Sequence, residues 1–163
     1  MLAVLTPDEM AAVDAAAPEP VDVLIRRAAG AVAHHAVDLM GGTYGRRVVV
    51  VAGKGNNGND GRVAAALLAR RGVRTRVVPA DAPGVIGLCD LVIDAAYGTG
   101  FRGSYDARRP LDPHTPVLAV DVPSSPLAHA TPTTARAATI EVNTPSIFLI
   151  IIYLLDWTWC HFE

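Results

Sequence analysis

The 163 residues contain 51% hydrophobic and 18% charged side chains, a composition that excludes a disordered chain and predicts one folded domain. The formal net charge of −2 provides no electrostatic attraction to nucleic acid or to an anionic membrane, so neither is expected as a partner. Two cysteines are too few for a disulfide framework, and no signal-peptide pattern opens the chain, so the cytoplasm is the expected compartment.

Two helices are predicted at the N-terminus. The first begins at residues 6–9, where a threonine cap, a proline and two acidic residues suit a helix start, and it ends near Ala16. The second is amphipathic, spans about residues 21–40 and ends at Gly41 and Gly42. His34 and His35 lie in this helix. Because adjacent helical residues point in different directions, a surface or partly packed role is expected for them rather than a ligand pair.

A glycine-rich loop follows the first predicted strand. The strand covers residues 48–52, the loop runs from Gly53 to Gly61, and a helix is predicted from Arg62 to Arg71. This order of elements is typical of phosphate sites, where glycines allow close approach and a helix N-terminus presents N–H groups. The asparagines and the aspartate in the loop suggest that it also binds a cation or a polar ring. The alternative is a solvated turn, since Gly and Asn tolerate left-handed backbone angles.

Further strands are predicted at residues 74–78, at 88–93 before Asp94, and at 117–120 before Asp121. Their continuous apolar runs indicate a parallel sheet that is covered on both faces. The prediction is a three-layer, Rossmann-like α/β domain with a mostly parallel sheet and an N-terminal helical pair. Three polar segments follow strands, and ligands bind beyond the carboxyl ends of strands in such folds. The short connections between the later strands leave the strand order open.

These polar segments resemble the motifs of the YjeF N-terminal domain family, the NAD(P)HX epimerases. The family pattern Gly-x-Gly-Asn-Asn-Gly-Gly-Asp-Gly matches the glycine-rich loop, with Asn59 in place of a glycine. The pattern Asp-x-x-x-Gly-Thr-Gly matches residues 94–100, and Asp-x-Pro-Ser-Gly matches 121–124 with Ser125 where glycine is usual. The resemblance covers residues 6 to 124 or so.

The resemblance implies an isomerase that repairs nicotinamide dinucleotides hydrated at the ring. Such enzymes interconvert the R and S epimers of NADHX and NADPHX, and a separate NAD(P)HX dehydratase then acts on one epimer. Relatives form dimers, and the sequence leaves the oligomeric state of this chain open. The implied dinucleotide-binding positions are Asn56, Asn57, Gly58, Asn59, Asp60, Gly98, Thr99, Gly100, Phe101, Arg102, Gly103, Ser104 and Asp121.

The resemblance also implies a potassium ion as cofactor. The family's potassium ligands fall on Asn57, Asp94 and Ser124, and all three offer the oxygen atoms that a hard cation needs. Epimerisation requires a group that moves protons on and off the substrate, and Asp121 at the mouth of a strand is the predicted general acid and base. Asp60 is the second candidate, since it can instead fix the loop.

Structural roles are the alternatives at several of these positions. Asp94 and Asp121 can each cap a turn, and Tyr97 and Phe101 can either stack on a ligand ring or pack in the core.

Residues 140–163 depart from the family pattern and from the rest of the chain. They contain no Ala, Gly, Arg or Lys but hold five of the nine aromatic residues. The apolar run Ile147 to Leu155 has nine residues, fewer than the roughly 20 that a membrane-spanning helix needs. The division is therefore a YjeF N-terminal-like domain at 1–139 and an atypical apolar tail at 140–163, which we expect to pack poorly.

Three interpretations of the tail remain open: sequence unrelated to a truncated domain, a genuine C-terminal strand, and a contact with a partner or membrane surface. The function predicted from the sequence is an NAD(P)HX epimerase, impaired if the domain is truncated. The alternative is a non-catalytic module that binds a nucleotide or a protein, or an inactive truncated epimerase.

Overall fold

A computed structural model of the protein describes residues 12, 16, 18–98, 101–103, 105, 106 and 108–121, and residues 147–150 as backbone. Ala12 and Ala16 are helical, and the rest of the predicted first helix lies outside the described residues. The other elements follow in the order α1 (Val21–Met40), β1 (Arg47–Ala52), α2 (Asn56–Arg70), β2 (Arg74–Pro79), β3 (Leu91–Ala95), β4 (Val117–Val120) and β5 (Ile147–Ile150).

Helix α1 has the bounds that its apolar period predicts. It buries one stripe of small and apolar side chains, and it ends where Gly41 adopts a left-handed conformation with φ 65°. The backbone N–H groups of Gly41 and Gly42 donate to carbonyl oxygens of the last turn. His34 and His35 are exposed, and His34 Nε2 lies 3.3 Å from a carboxylate oxygen of Asp38, so the predicted surface role is confirmed.

The strands form one five-stranded parallel sheet in the order β2-β1-β3-β4-β5. Strand β1 lies between β2 and β3, and its residues Val48 to Ala52 are all buried. The buried run reflects a strand covered on both faces, as the continuous apolar sequence predicts. The α/β class and the parallel sheet are therefore confirmed. The structure also gives the strand order, which the sequence left open.

Both described helices cover the same face of the sheet. Residues of α1 and α2 pack there with Val48, Val50 and Ile93, and Leu68 of α2 is fully buried among them. Burial of a side chain such as Leu68 stabilises the fold by about 1.5–3 kcal/mol. The opposite face is covered by the segments 80–90 and 96–116, which contain no helix in their described parts. The described part of the third layer is therefore irregular chain.

Two predicted element boundaries are wrong. Helix α2 begins at Asn56 rather than Arg62, because the N–H of Asn59 already donates to the carbonyl of Gly55 and closes a helical turn. Strand β3 begins at Leu91 rather than Leu88, which is 61% exposed. The side chain of Asp90 accepts the N–H of Arg47 at 2.8 Å and anchors the chain just before the strand begins.

The tail contributes one strand to the sheet. The backbone of β5 pairs with β4 in parallel register, with Ile147 opposite Val117 and Ile150 opposite Val120. This pairing corresponds to the interpretation of the tail as a genuine strand. Residues 140–146 and 151–163 lie outside the described residues, so poor packing of the tail stays a prediction. Within the described part of the chain, no helix has the length and hydropathy required to cross a membrane.

Candidate functional site

The three polar segments meet at the carboxyl edge of the sheet. Strands β1, β3 and β4 are parallel neighbours, with Ala52 opposite Ala95 and Asp94 opposite Ala119. The chain therefore leaves all three strands on the same side of the sheet. Ligands of open parallel α/β sheets bind in this position, so we consider this edge as the candidate site.

The β1–α2 junction is packed so closely that side chains do not fit on Gly53, Gly58 and Gly61. A Cβ atom added at Gly53 would lie 1.8 Å from the carbonyl oxygen of Ala96, and one added at Gly58 would lie 2.0 Å from that of Gly53. A Cβ atom added at Gly61 would lie 2.5 Å from the methyl group of Ala95. These contacts hold the first turns of α2 directly against the ends of β1 and β3.

The N-terminus of α2 faces this edge. Gly55 precedes the helix in an extended conformation, and no side chain caps the first turn. The first turn contains no acidic residue, so its partial positive charge is not offset locally. This arrangement suits an anionic group such as a phosphate.

Asn57 connects the helix to the segment after β3. Its Nδ2 donates to the carbonyl oxygen of Tyr97 at 2.9 Å, which fixes the orientation of the amide. Its Oδ1 is buried and has no hydrogen-bond partner among the described residues. A buried acceptor without a partner is costly, so a donor or a cation from a ligand would stabilise it.

Asp94 lies inside β3 rather than after it, with 7% of its surface exposed. One of its carboxylate oxygens accepts the N–H of Ala96 at 3.1 Å. The turn-capping role that was the alternative for Asp94 is therefore present. A carboxylate has two oxygen atoms that can each accept more than one interaction, so the cap and a ligand role are compatible.

Asp121 is the first residue after β4. Its φ of 77° is the only positive value of a non-glycine residue in the described ranges, and aspartate is among the residues that tolerate this region best. Its Oδ2 lies 2.4 Å from the point where a Cβ on Gly98 would be, and Asn57 Cβ lies 3.8 Å from the same point. The structure therefore brings Asn57, Gly98 and Asp121 together.

An aromatic cluster lies beside these residues. The rings of Tyr97 and Phe101 are stacked with centroids 3.8 Å apart, and Tyr105 meets Tyr97 edge-on at 4.8 Å. Tyr97 and Tyr105 pack against the buried core of the irregular face, whereas Phe101 is 39% exposed. Burial raises the pKa of the Tyr105 hydroxyl, and the charge of Asp94 raises it further. Core packing is thus the role of Tyr97, and Phe101 retains a surface for a ligand.

Comparisons with known proteins show a similarity to one family. The model of the YjeF-related protein N-terminus matches residues 21–85, which include α1, β1, the glycine-rich junction, α2 and β2. The domain is therefore YjeF-related by similarity over these residues.

Curated relatives of this YjeF-related domain have one name in common. The chain is 35% identical to an NAD(P)H-hydrate epimerase of Limosilactobacillus fermentum over 48% of this chain and 52% of that protein. It is 36% identical to one of Ajellomyces capsulatus over 50% and 47%, and 31% identical to one of Phaeosphaeria nodorum over 64% and 56%. The chain therefore spans about half the length of the curated relatives that it matches.

A solved structure supports the fold of the YjeF-related domain. The crystal structure of yeast ynu0 superposes with a TM-score of 0.58 at 23% identity and covers 76% of this chain and 71% of that one. At this identity the similarity concerns the fold alone.

The structure positions most of the predicted binding residues of the YjeF-related domain. Those from Asn56 to Asp60 form the start of α2 instead of a loop, and Gly98 faces Asp121. Phe101 of the aromatic cluster and its neighbours Arg102 and Gly103 are exposed. Thr99, Gly100, Ser104 and Ser124 lie outside the described residues.

Sequence reasoning missed Arg62. Its guanidinium donates to the carbonyl oxygen of Gly53 at 2.8 Å and to Oδ1 of Asn59 at 3.3 Å. The spacing of Asn59 and Arg62 is the i, i+3 spacing of a helical pair. The signal was hidden because the helix was predicted to begin at Arg62 itself.

Proposed function

We propose that this protein is an NAD(P)H-hydrate epimerase, an isomerase that interconverts the R and S epimers of hydrated NADH and NADPH. The observation that carries the proposal is Asp121, which stands in a left-handed conformation against Gly98 and close to Asn57. The epimerase names of the curated relatives support the reaction class.

The β1–α2 junction would bind the phosphates of the dinucleotide. Gly55, where an added Cβ meets nothing within 4 Å, would let a ligand approach the backbone, and the N-terminus of α2 supplies N–H groups and a partial positive charge. Arg62 holds the carbonyl of Gly53 and the side chain of Asn59 in place. The exposed part of Phe101 offers a flat apolar surface for one of the ligand rings.

Asp121 would act as the general acid and base. Inversion at the hydroxyl-bearing carbon requires a bond at that carbon to break and to form again on the other face of the ring. A group that gives a proton in the first step and takes it back in the second leaves the overall proton balance unchanged. Asp60 remains the second candidate. It lies half-buried near the start of α2, where it can also stabilise the junction.

The chain's own donors fit a potassium ion. The buried Oδ1 of Asn57 has no hydrogen-bond partner within the described ranges, and the carboxylate of Asp94 lies at the same edge of the sheet. Asn57, Asp94 and Ser124 would hold the ion. One carboxylate with two neutral side-chain oxygens suits a monovalent cation better than it suits Mg²⁺. When bound, the ion would supply positive charge beside the dinucleotide.

A comparison of potassium with sodium chloride at equal ionic strength tests this assignment. We expect potassium to raise both the melting temperature and the affinity for the dinucleotide, and we expect Asn57→Leu to remove both effects. Equal values in the two salts would exclude the proposed ion.

The activity is tested by incubating the protein with epimer-pure NADHX and following the epimer ratio over time, with a protein-free sample as reference. We expect the protein to accelerate the approach to a mixture of R and S epimers. The same result with NADPHX would show that the protein also acts on hydrated NADPH. A separate NAD(P)HX dehydratase would act on one of the two epimers.

A non-catalytic binding module is the second candidate, because the chain spans only about half the length of the curated epimerases. Bound dinucleotide with no acceleration over the protein-free sample would support that module and contradict the epimerase. A dimer is a further proposal, and the measured mass in solution decides it.

A further inference from the structure

The ends of β1 and β2 carry an ion pair that the proposed reaction does not use. Lys54, the only lysine in the sequence, follows β1, and Asp81 follows β2. Ala52 and Pro79 are register partners, so the two strands end side by side. Lys54 Nζ lies 3.1 Å from Asp81 Oδ2, and their side chains are 91% and 54% exposed.

The position of this pair has a specific meaning in nucleotide-binding α/β folds. The phosphates bind at the helix that follows β1, and the ribose of the same nucleotide extends toward the end of β2. A carboxylate at that point accepts hydrogen bonds from the 2′- and 3′-hydroxyl groups of an unphosphorylated ribose. A ribose 2′-phosphate placed there would meet a second negative charge.

We propose that Asp81 makes this domain discriminate against nucleotides with a ribose 2′-phosphate, so that hydrated NADH is preferred over hydrated NADPH. The proposal rests on the proposed function, since it assumes that a dinucleotide binds at the β1–α2 junction. It adds a specificity-determining residue to that function.

The surroundings keep the Asp81 carboxylate charged and in place. Lys54 lowers the pKa of Asp81 through its hydrogen bond and its charge, and Arg108 lowers it by a smaller amount. Ala82 N–H donates to the carbonyl oxygen of Pro79, so Asp81 projects from a turn rather than from a free segment. The charge of Lys54 is matched by Asp81, and the pair as a whole therefore offers no net positive charge to a phosphate.

The experiment compares the binding of ADP-ribose with that of its 2′-phosphorylated form by titration calorimetry. We expect the wild type to bind ADP-ribose about tenfold more tightly, an effect of the size that a charge repulsion partly screened by water produces. Asp81→Asn should reduce the ratio to about threefold or less, mainly through tighter binding of the phosphorylated compound. Asp22→Asn, which removes an exposed aspartate that is also paired with an arginine, should leave the ratio unchanged.

Four results would overturn the proposal. Equal affinities in the wild type, or a ratio that Asp81→Asn does not change, would refute the discrimination and leave the epimerase proposal intact. If Lys54→Gln weakened the binding of the 2′-phosphorylated compound but not that of ADP-ribose, the assignment would be reversed, and Lys54 would be the residue that recognises the 2′-phosphate. Failure of both compounds to bind would overturn the dinucleotide site together with this inference.

Discussion

At Gly53 and Gly58 of the β1–α2 junction, backbone packs against backbone, whereas at Gly98, beyond the end of β3, the close contact is with a side chain that follows β4. Gly53 and Gly58 abut the carbonyl groups of Ala96 and Gly53. Gly98 instead abuts the carboxylate of Asp121, a group that can rotate. The comparison indicates that the first region is rigid and suited to binding, while the second can adjust and is suited to proton transfer.

The difference predicts that equal substitutions in the two regions have unequal effects. A methyl group added against backbone has no room and must distort the fold. A methyl group added against a side chain displaces that side chain and leaves the fold intact. Stability should therefore depend mainly on the first region, and activity mainly on the second.

The largest expected effect on stability is that of Gly58→Ala. The added Cβ would lie 2.0 Å from the Gly53 carbonyl oxygen, so we expect the free energy of unfolding to fall by about 3 kcal/mol or more. Gly55→Ala is the matched control, because a Cβ there meets nothing within 4 Å. Chemical denaturation measures both. Similar losses in the two variants would disprove the rigid packing of the junction.

Gly98→Ala should separate activity from stability. The new methyl group would displace the Asp121 carboxylate by about 1 Å, and we expect the epimerisation rate to fall about 100-fold. The free energy of unfolding should change by less than about 1 kcal/mol, since only a side chain must move. Gly30→Ala in α1, where the site is open, should leave the rate unchanged. An unaltered rate in Gly98→Ala would place the reacting group elsewhere.

A smaller effect is expected for Phe101→Ala. If its exposed ring carries a ligand ring, its loss should weaken dinucleotide binding about tenfold, in line with a stacking energy of about 1–3 kcal/mol. Tyr44 is an aromatic residue that is 99% exposed beyond the amino end of β1, and Tyr44→Ala should leave the affinity unchanged. Equal affinities of both variants and the wild type would assign Phe101 a packing role only.

The smallest effect concerns the exposed pair of Lys54 and Asp81. Because the pair lowers the pKa of Asp81 in the folded protein, it stabilises the fold above the ordinary value of 3.8 and stops doing so as the pH falls through the lowered pKa. The stability difference between the wild type and Asp81→Asn should therefore be small at pH 7 and should decrease as the pH falls below 3.8, as denaturation curves at pH 7 and at several acidic pH values would show. A stability difference that grows as the pH falls would contradict the lowered pKa of Asp81.

Much of the fold follows from local sequence. The continuous apolar runs of β1, β3 and β4 predict a parallel sheet, and parallel strands bring their carboxyl ends to one edge. That geometry predicts that the polar segments containing Asn57, Gly98 and Asp121 lie at one edge of the sheet. The end of α1 is equally local, since Gly41 adopts the left-handed conformation that ends helices.

The remaining features depend on contacts between distant residues. Asn and Gly are poor helix formers, so nothing local predicts that α2 begins at Asn56; the packing of Gly58 and Gly61 against the sheet stabilises that turn. The pairing of Lys54 with Asp81 likewise requires the strand order, which short connections without a helical pattern do not determine.

The rate of epimer interconversion by Asp121→Asn, compared with that of the wild type at saturating NADHX, tests the central claim most directly. Asparagine tolerates the left-handed conformation of this residue and keeps its size, so the variant should fold and bind the dinucleotide as before. We predict a rate lower by about 100-fold to 10,000-fold with unchanged affinity, because only the proton-transfer group is removed. Interconversion at the wild-type rate would contradict the role of Asp121.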